Sequence, residues 1–133
     1  MCNSVQEHIE YLIASNTHTE VEVLDSLAKS DCEKIRRQIA ENTSTSLKTL
    51  MLLLGDLSTE VRLALTYNPK LPAIFLEWLC REDSTDLRYG MAENISLPPQ
   101  ILEILETDNN PYVAARAAKS LADSNKRHSR LAA

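Results

Sequence analysis

Residues 61–79 read VRLALTYNPKLPAIFLEWL, and this order decides the fold because the chain states it three times. It runs again through 35–53, IRRQIAENTSTSLKTLMLL, and through 87–105, LRYGMAENISLPPQILEIL. The interval is 26 residues, with neither insertion nor deletion. A fixed interval of this size marks one supersecondary element repeated along the chain. Aligned on it, the first column holds Ile9, Ile35, Val61, Leu87 and Val113. Ile13, Ile39, Leu65, Met91 and Ala117 follow four positions later, with Ala14, Ala40, Thr66, Ala92 and Ala118 beside them. Seven positions on stand Asn16, Asn42, Asn68 and Asn94, and Ser120 closes that column. Leucine fills two further columns, Leu24, Leu50, Leu76, Leu102 and Leu27, Leu53, Leu79, Leu105.

Each repeat divides into two helical pieces by its own spacing. In the first, apolar residues at i, i+4 and i+5 share one face of a helix of about two turns. Capping candidates precede it at Asp31, at Ser58, at Ser84 or Asp83, and at Asn110 ahead of Pro111. The asparagine column is expected to end it, since asparagine tolerates the left-handed conformation that terminates helices. The second piece opens at Thr45-Ser46, Pro72 and Pro98-Pro99, which is again helix-start chemistry. It carries the leucine pair, with Phe75 and Ile101 at a third apolar place. Neither helix buries its stripe alone, so stacked repeats must share one core. The expected fold is all-α: a solenoid of about five repeats over residues 1–122, starting near Ile9, Ile35, Val61, Leu87 and Val113. The fifth repeat lacks its leucine pair, and residues 123–133 are expected to form a basic, disordered tail.

These residues and their spacing resemble the leucine-rich repeat variant family, whose repeats read roughly VRxxVAxNPxTPxxxLxxLxxD. The match covers about residues 5–122 and is strongest from Ile35 to Asp108; HEAT and armadillo repeats are similar more distantly. The resemblance implies a right-handed α-α superhelix whose second helices are partly 3₁₀. The family's founding pattern includes a cysteine cluster that holds an iron–sulfur centre. No such cluster occurs here, so no cofactor is carried over.

Composition agrees with helix. Of 133 residues 44% are hydrophobic, but only 5% are aromatic and two are glycine, too few for the turns of a barrel or sandwich. The net charge of −5 is uneven. Residues 1–113 carry nine basic and eighteen acidic side chains, a net −9. Residues 114–133 carry Arg116, Lys119, Lys126, Arg127 and Arg130 against Asp123 alone, a net +4. Such an acidic body disfavours nucleic acid as a partner, since phosphate binding needs cationic surface. Cys2, Cys32 and Cys80 show no metal-ligand spacing, and free thiols in a reducing compartment are expected. With no signal-peptide pattern and no apolar run long enough to span a bilayer, a cytoplasmic protein without membrane association is expected.

Four features carry candidate chemistry. Arg36, Arg62 and Arg88 form a column, with Asp31, Asp56, Glu82 and Asp83 five or six residues ahead. They read either as a basic stripe for an anion or as a ladder bridging carboxylates and loop carbonyls between repeats, which the planar guanidinium favours. Asn16, Asn42, Asn68 and Asn94 read as turn-holding amides rather than a recognition strip. The ending Leu131-Ala132-Ala133 resembles the tail read by bacterial ATP-dependent unfoldase-proteases. The third repeat, finally, departs from the polar pattern of the others. Tyr67 stands where they have Ser15, Glu41, Glu93 and Lys119, and Ile74 where they have Glu22, Lys48 and Gln100. Trp78, the only tryptophan, follows Ile74 by four residues and shares its side of a helix. Tyr67, Ile74 and Trp78 are expected to be exposed on one contact patch of the kind that forms interface hot spots.

The histidines do not cluster, and no nucleophile–base arrangement or glycine-rich phosphate loop is present. The expected function is a non-enzymatic repeat scaffold that binds a protein or peptide. A nucleic-acid-binding HEAT-like protein and a small lyase-type HEAT-like enzyme, or its accessory subunit, are the alternatives.

Overall fold

The structure, a computed structural model, describes residues 4–132. Among them are nine α-helices and no strand. They fall into two compact units, Met1–Leu71 and Pro72–Ala133, with the division inside the third repeat. The first unit holds α1 (Val5–Ser15), α2 (Val21–Leu27), α3 (Glu33–Glu41), α4 (Leu47–Leu53) and α5 (Thr59–Leu65). The second holds α6 (Ala73–Leu79), α7 (Thr85–Ala92), α8 (Pro99–Glu106) and α9 (Pro111–Ala132). None of the described helices is long and apolar enough to cross a membrane.

Four of these helices have only seven residues. Isolated helices that short do not persist in water, so packing and end chemistry must hold them. Ser58, Ser84 and Ser46 cap α5, α7 and α4 by accepting the backbone N–H three residues on. Asn110 Oδ1 accepts from Tyr112 and Val113 at the start of α9. At α3 the cap position is Cys32, without a side-chain hydrogen bond, and Asp31 plays no capping part. Pro72 and Pro98 precede α6 and α8, where the fixed φ suits a helix entry.

The repeated apolar columns supply the core of each unit. In the first, Ala14, Leu24, Ile35, Ile39, Ala40, Leu50, Leu53, Val61 and Leu65 are buried. In the second, Leu76, Leu79, Leu87, Met91, Ala92, Leu102, Leu105, Val113 and Ala117 are buried. Burying a leucine or isoleucine side chain contributes about 1.5–3 kcal/mol, so these columns hold the short helices together. Ile9 is the exception in its column, exposed on the first helix of the chain.

Three expectations are corrected. The asparagines that end α1 and α3 are extended, Asn16 at φ −87° and Asn42 at φ −71°, and no described residue has positive φ. No 3₁₀ segment occurs in the described second helices, which are α-helical. Residues 123–132 are no loose tail: they continue α9, a helix of 22 residues, and Ser124 is buried. Loss of the leucine pair ends the repeat, but no glycine or proline follows Pro111 to break the helix, and alanine, lysine and arginine favour it. Leu131 and Ala132 are exposed on its last turn, while Ala133 lies outside the described residues.

Candidate functional site

The polar columns form two ladders inside each unit. Asn42 Nδ2 donates to the carbonyls of Ala14 and Asn16, at 2.8 and 3.0 Å. One repeat later Asn68 Nδ2 donates to Ala40 and Asn42, at 2.9 and 3.1 Å. Each amide thus reaches back 28 and 26 residues to the end of the preceding first helix, where carbonyls have no intrahelical partner. The Oδ1 atoms of Asn16, Asn42, Asn68 and Asn94 each accept the backbone N–H two residues on, which closes the turn. In the second unit Ser120 Oγ donates 2.6 Å to the carbonyl of Ala92, again 28 residues back. Asn42, Asn68 and Asn94 are buried, whereas Asn16 is exposed. The asparagine column therefore holds turns and joins successive first helices.

The arginine ladder uses acids other than those just ahead of each arginine. Arg36 Nε and Nη2 grip Asp56 at 2.8 and 3.2 Å, and Arg88 grips Asp108 at 2.8 and 3.3 Å in the same way. In both pairs the acid lies 20 residues after the arginine. What precedes each arginine by six residues gives a backbone carbonyl instead: Ser30 to Arg36, Asp56 to Arg62 and Glu82 to Arg88. Asp56 serves both neighbours, its carboxylate one repeat back and its carbonyl within its own. Both paired carboxylates are under 10% exposed. Burial raises the Asp108 carboxyl, but hydrogen bonds from Arg88 and the Asn110 amide outweigh it and set it below the ordinary carboxylate value. Bidentate, largely buried guanidinium pairs fix geometry as well as adding energy; Arg36 and Arg88 are spent in this way.

Thr19 escaped the sequence reading, and Thr45 entered it only as part of a helix start. Thr19 and Thr45 hydroxyls donate 2.7 Å to the carbonyls of Ile13 and Ile39, six residues back. In the later repeats their column holds Leu71 and Leu97, both buried. The column was visible, but its change from hydroxyl to leucine concealed a shared place in the fold.

Apolar surface remains on the second helices of each unit. On α6, Ile74 is 51% and Trp78 60% exposed. Phe75 packs edge-on against Trp78, with ring centroids 5.2 Å apart and planes at 79°, a favourable aromatic geometry. Leu52, the counterpart of Trp78 one repeat earlier, is 59% exposed in the first unit. It lines a cleft of about 680 Å³ between α2 and α4, beside Met51, Asp25, Lys29 and Lys48. Tyr67, in the first unit after α5, is half exposed as well. Tyr67 belongs to a different compact unit from Ile74 and Trp78.

A second cavity, of about 380 Å³, lies between α1 and α3. His8 and Tyr11 border it from α1, and Lys34, Arg37 and Gln38 from α3. Arg37 Nε, and Arg116 Nη1 on α9, are closed off from solvent without a hydrogen-bond partner among the described residues, a deficit that costs about 1–3 kcal/mol when nothing answers it. Cys32, on the wall, is disulfide-bonded, which corrects the free-thiol expectation at that position. Cys80 is a buried free thiol, and burial raises its pKa; Cys2 lies outside the described residues. No group of three or more metal-ligating side chains occurs among the described residues. Compared with protein-family models, curated proteins and solved structures, the chain matches none of them.

Proposed function

We propose that the chain is a non-enzymatic repeat scaffold of the leucine-rich repeat variant type, and that its second-helix faces bind a protein or an apolar peptide. The observation that carries this is the α6 face. Ile74 and Trp78 stand more than half exposed one helical turn apart, with Phe75 bracing the indole. A solvent-exposed tryptophan costs a free protein hydration of a large apolar surface, and a partner that covers it gains that surface back. The repeat geometry supports the reading, because hydrogen bonds recur at separations of 26 and 28 residues in the first unit and of 28 in the second. Polar columns so occupied leave the non-core columns free to vary with the partner. The exposed Leu52 on α4 offers the same column in the first unit.

The test is selection of a random-peptide display library on the full chain. Peptides with aromatic or aliphatic anchors should enrich, and their binding should fall on the Ile74→Lys, Trp78→Ser double variant. Circular dichroism should show that variant as helical as the parent. Failure of any peptide to enrich, or equal binding to a folded double variant, overturns the assignment of the α6 face.

A further inference from the structure

One side of the first repeat is open where later repeats are closed. Asn42 reaches back to the carbonyls of Ala14 and Asn16, and Thr49 Oγ1 donates 2.6 Å to Asp25. Their columns therefore mark the side of a repeat that is turned to the repeat before it. In the column of Ile9, which is 46% exposed, Ile35, Val61, Leu87 and Val113 are all 0% exposed. Thr49 and Ile101 are buried, but Val23 in their column is exposed. Ala64 and Gly90 are buried, but Leu12 in theirs is exposed. Ile9, Leu12 and the exposed Asn16 stand at i, i+3 and i+7, one face of α1. Val23 lies on α2, which packs against α1. The outer side of an end repeat is ordinarily polar. Here it keeps the apolar columns of an inner one.

Charge selects what covers it. Residues 4–28 hold Glu7, Glu10, Glu20, Glu22 and Asp25 and no lysine or arginine, a net −5. Like charge disfavours pairing of two such surfaces with each other. The end of α9 is their complement. Beyond the buried Ser124 the helix runs on, with residues 125–132 all exposed. They carry Lys126, Arg127 and Arg130 and no acid, a net +3. None of the three cations forms an ion pair among the described residues. Arg127, Arg130 and the exposed Leu131 stand at i, i+3 and i+4, so they share a face.

We propose that the end of α9 from a second copy of the chain docks on the open side of α1 and α2. Leu131 and the aliphatic stems of Arg127 and Arg130 cover Ile9, Leu12 and Val23, since long cationic side chains bury their stems and keep their heads in water. The guanidinium heads reach carboxylates such as Glu20, exposed three residues ahead of Val23. Apolar burial holds the contact, and opposite charge orients it. Two turns of helix cover less than a standard interface of about 1,600 Å², so the association belongs to the weak, concentration-dependent class. Donor and acceptor are different surfaces, which makes the contact heterologous.

Sedimentation velocity of the full chain tests this over about a hundredfold range of concentration. At low salt the average sedimentation coefficient should rise with concentration. At about 1 M salt, where charges are screened beyond about 3 Å, the association should weaken about tenfold or more. Ile9→Lys with Leu12→Lys removes the acceptor, and Arg127→Glu with Arg130→Glu removes the donor. Each double variant, shown helical by circular dichroism, should stay monomeric where the parent associates. An equimolar mixture of the two should form a one-to-one complex and nothing larger, because one intact tail and one intact open side remain. Should the α1 variant fail to fold, the α9 variant decides the matter, since both its changes are at exposed positions. A parent chain that stays monomeric throughout overturns the proposal. So does self-association that survives in the α9 variant, or a mixture of folded variants that does not recombine.

Discussion

Replacing Asn68 by alanine removes three hydrogen bonds at once. The amide nitrogen gives up the carbonyls of Ala40 and Asn42, and the amide oxygen gives up the Lys70 N–H. The side chain is 3% exposed, so water does not readily take its place. The Asn42 carbonyl keeps its bond from the Thr45 N–H. The Ala40 carbonyl belongs to the last turn of α3, where the helix itself offers no donor. At about 1 kcal/mol net for each bond, with an added penalty for a stranded buried carbonyl, the loss should be about 2–4 kcal/mol. Asn16 occupies the same column but is exposed, and among the described residues its side chain makes only the turn bond to the His18 N–H. Asn16→Ala should therefore cost about 1 kcal/mol or less. Both positions lie in the first unit, so urea denaturation followed by circular dichroism compares like with like. With m near 2 kcal/mol/M, Asn68→Ala should lower the midpoint by about 1–2 M and Asn16→Ala by less than about 0.5 M. Equal shifts would show that the amide's reach to the preceding repeat contributes nothing and that only the turn matters.

Two further outcomes follow from the arginine ladder. A double-mutant cycle on Arg36→Ala and Asp56→Ala should give a coupling of about 1–3 kcal/mol, as expected for a bidentate charged pair; coupling within error of zero would reassign Arg36 to the solvent. The Asp108 carboxyl sits below its ordinary value when folded, so its contribution is complete above the unfolded carboxylate range and disappears as pH falls through the lower folded value. Wild-type stability should accordingly fall more steeply on acidification than that of Asp108→Asn, and parallel acid limbs in urea midpoints would contradict this.

The sequence was most legible where one physical constraint recurs every 26 residues. The buried Leu24, Leu50, Leu76 and Leu102 are readable because each closes the same core position. The polar columns were legible as positions but not as contacts. Asp56 looked like a partner for Arg62, six residues on, yet its carboxylate turns to Arg36 of the preceding repeat while its backbone carbonyl takes Arg62. Local spacing measures distance along the chain, and helix pairing makes position 20 nearer than position 6 for a carboxylate. Asparagine's preference for left-handed φ also misled, because the side chain here closes an extended turn through Oδ1 and leaves the amide to bridge. Of the candidate surface, the exposure of Tyr67 and Ile74 followed from apolar residues in otherwise polar columns, and that of Trp78 from its place one helical turn after Ile74. The α1–α3 cavity had no such signal. Arg37 differs from its neighbour only in facing a helix about two dozen residues away, which the repeat pattern does not reveal.

The most direct test of the binding-face account is the fluorescence of Trp78, the only indole in the chain. At 60% exposure on α6, it should emit at the long wavelengths of a hydrated indole and be quenched readily by acrylamide in the folded protein. A peptide bound to that face should shift the emission to shorter wavelength and protect it from quenching. Short-wavelength emission that acrylamide barely reaches in the free, folded chain would place Trp78 in the core and contradict the account.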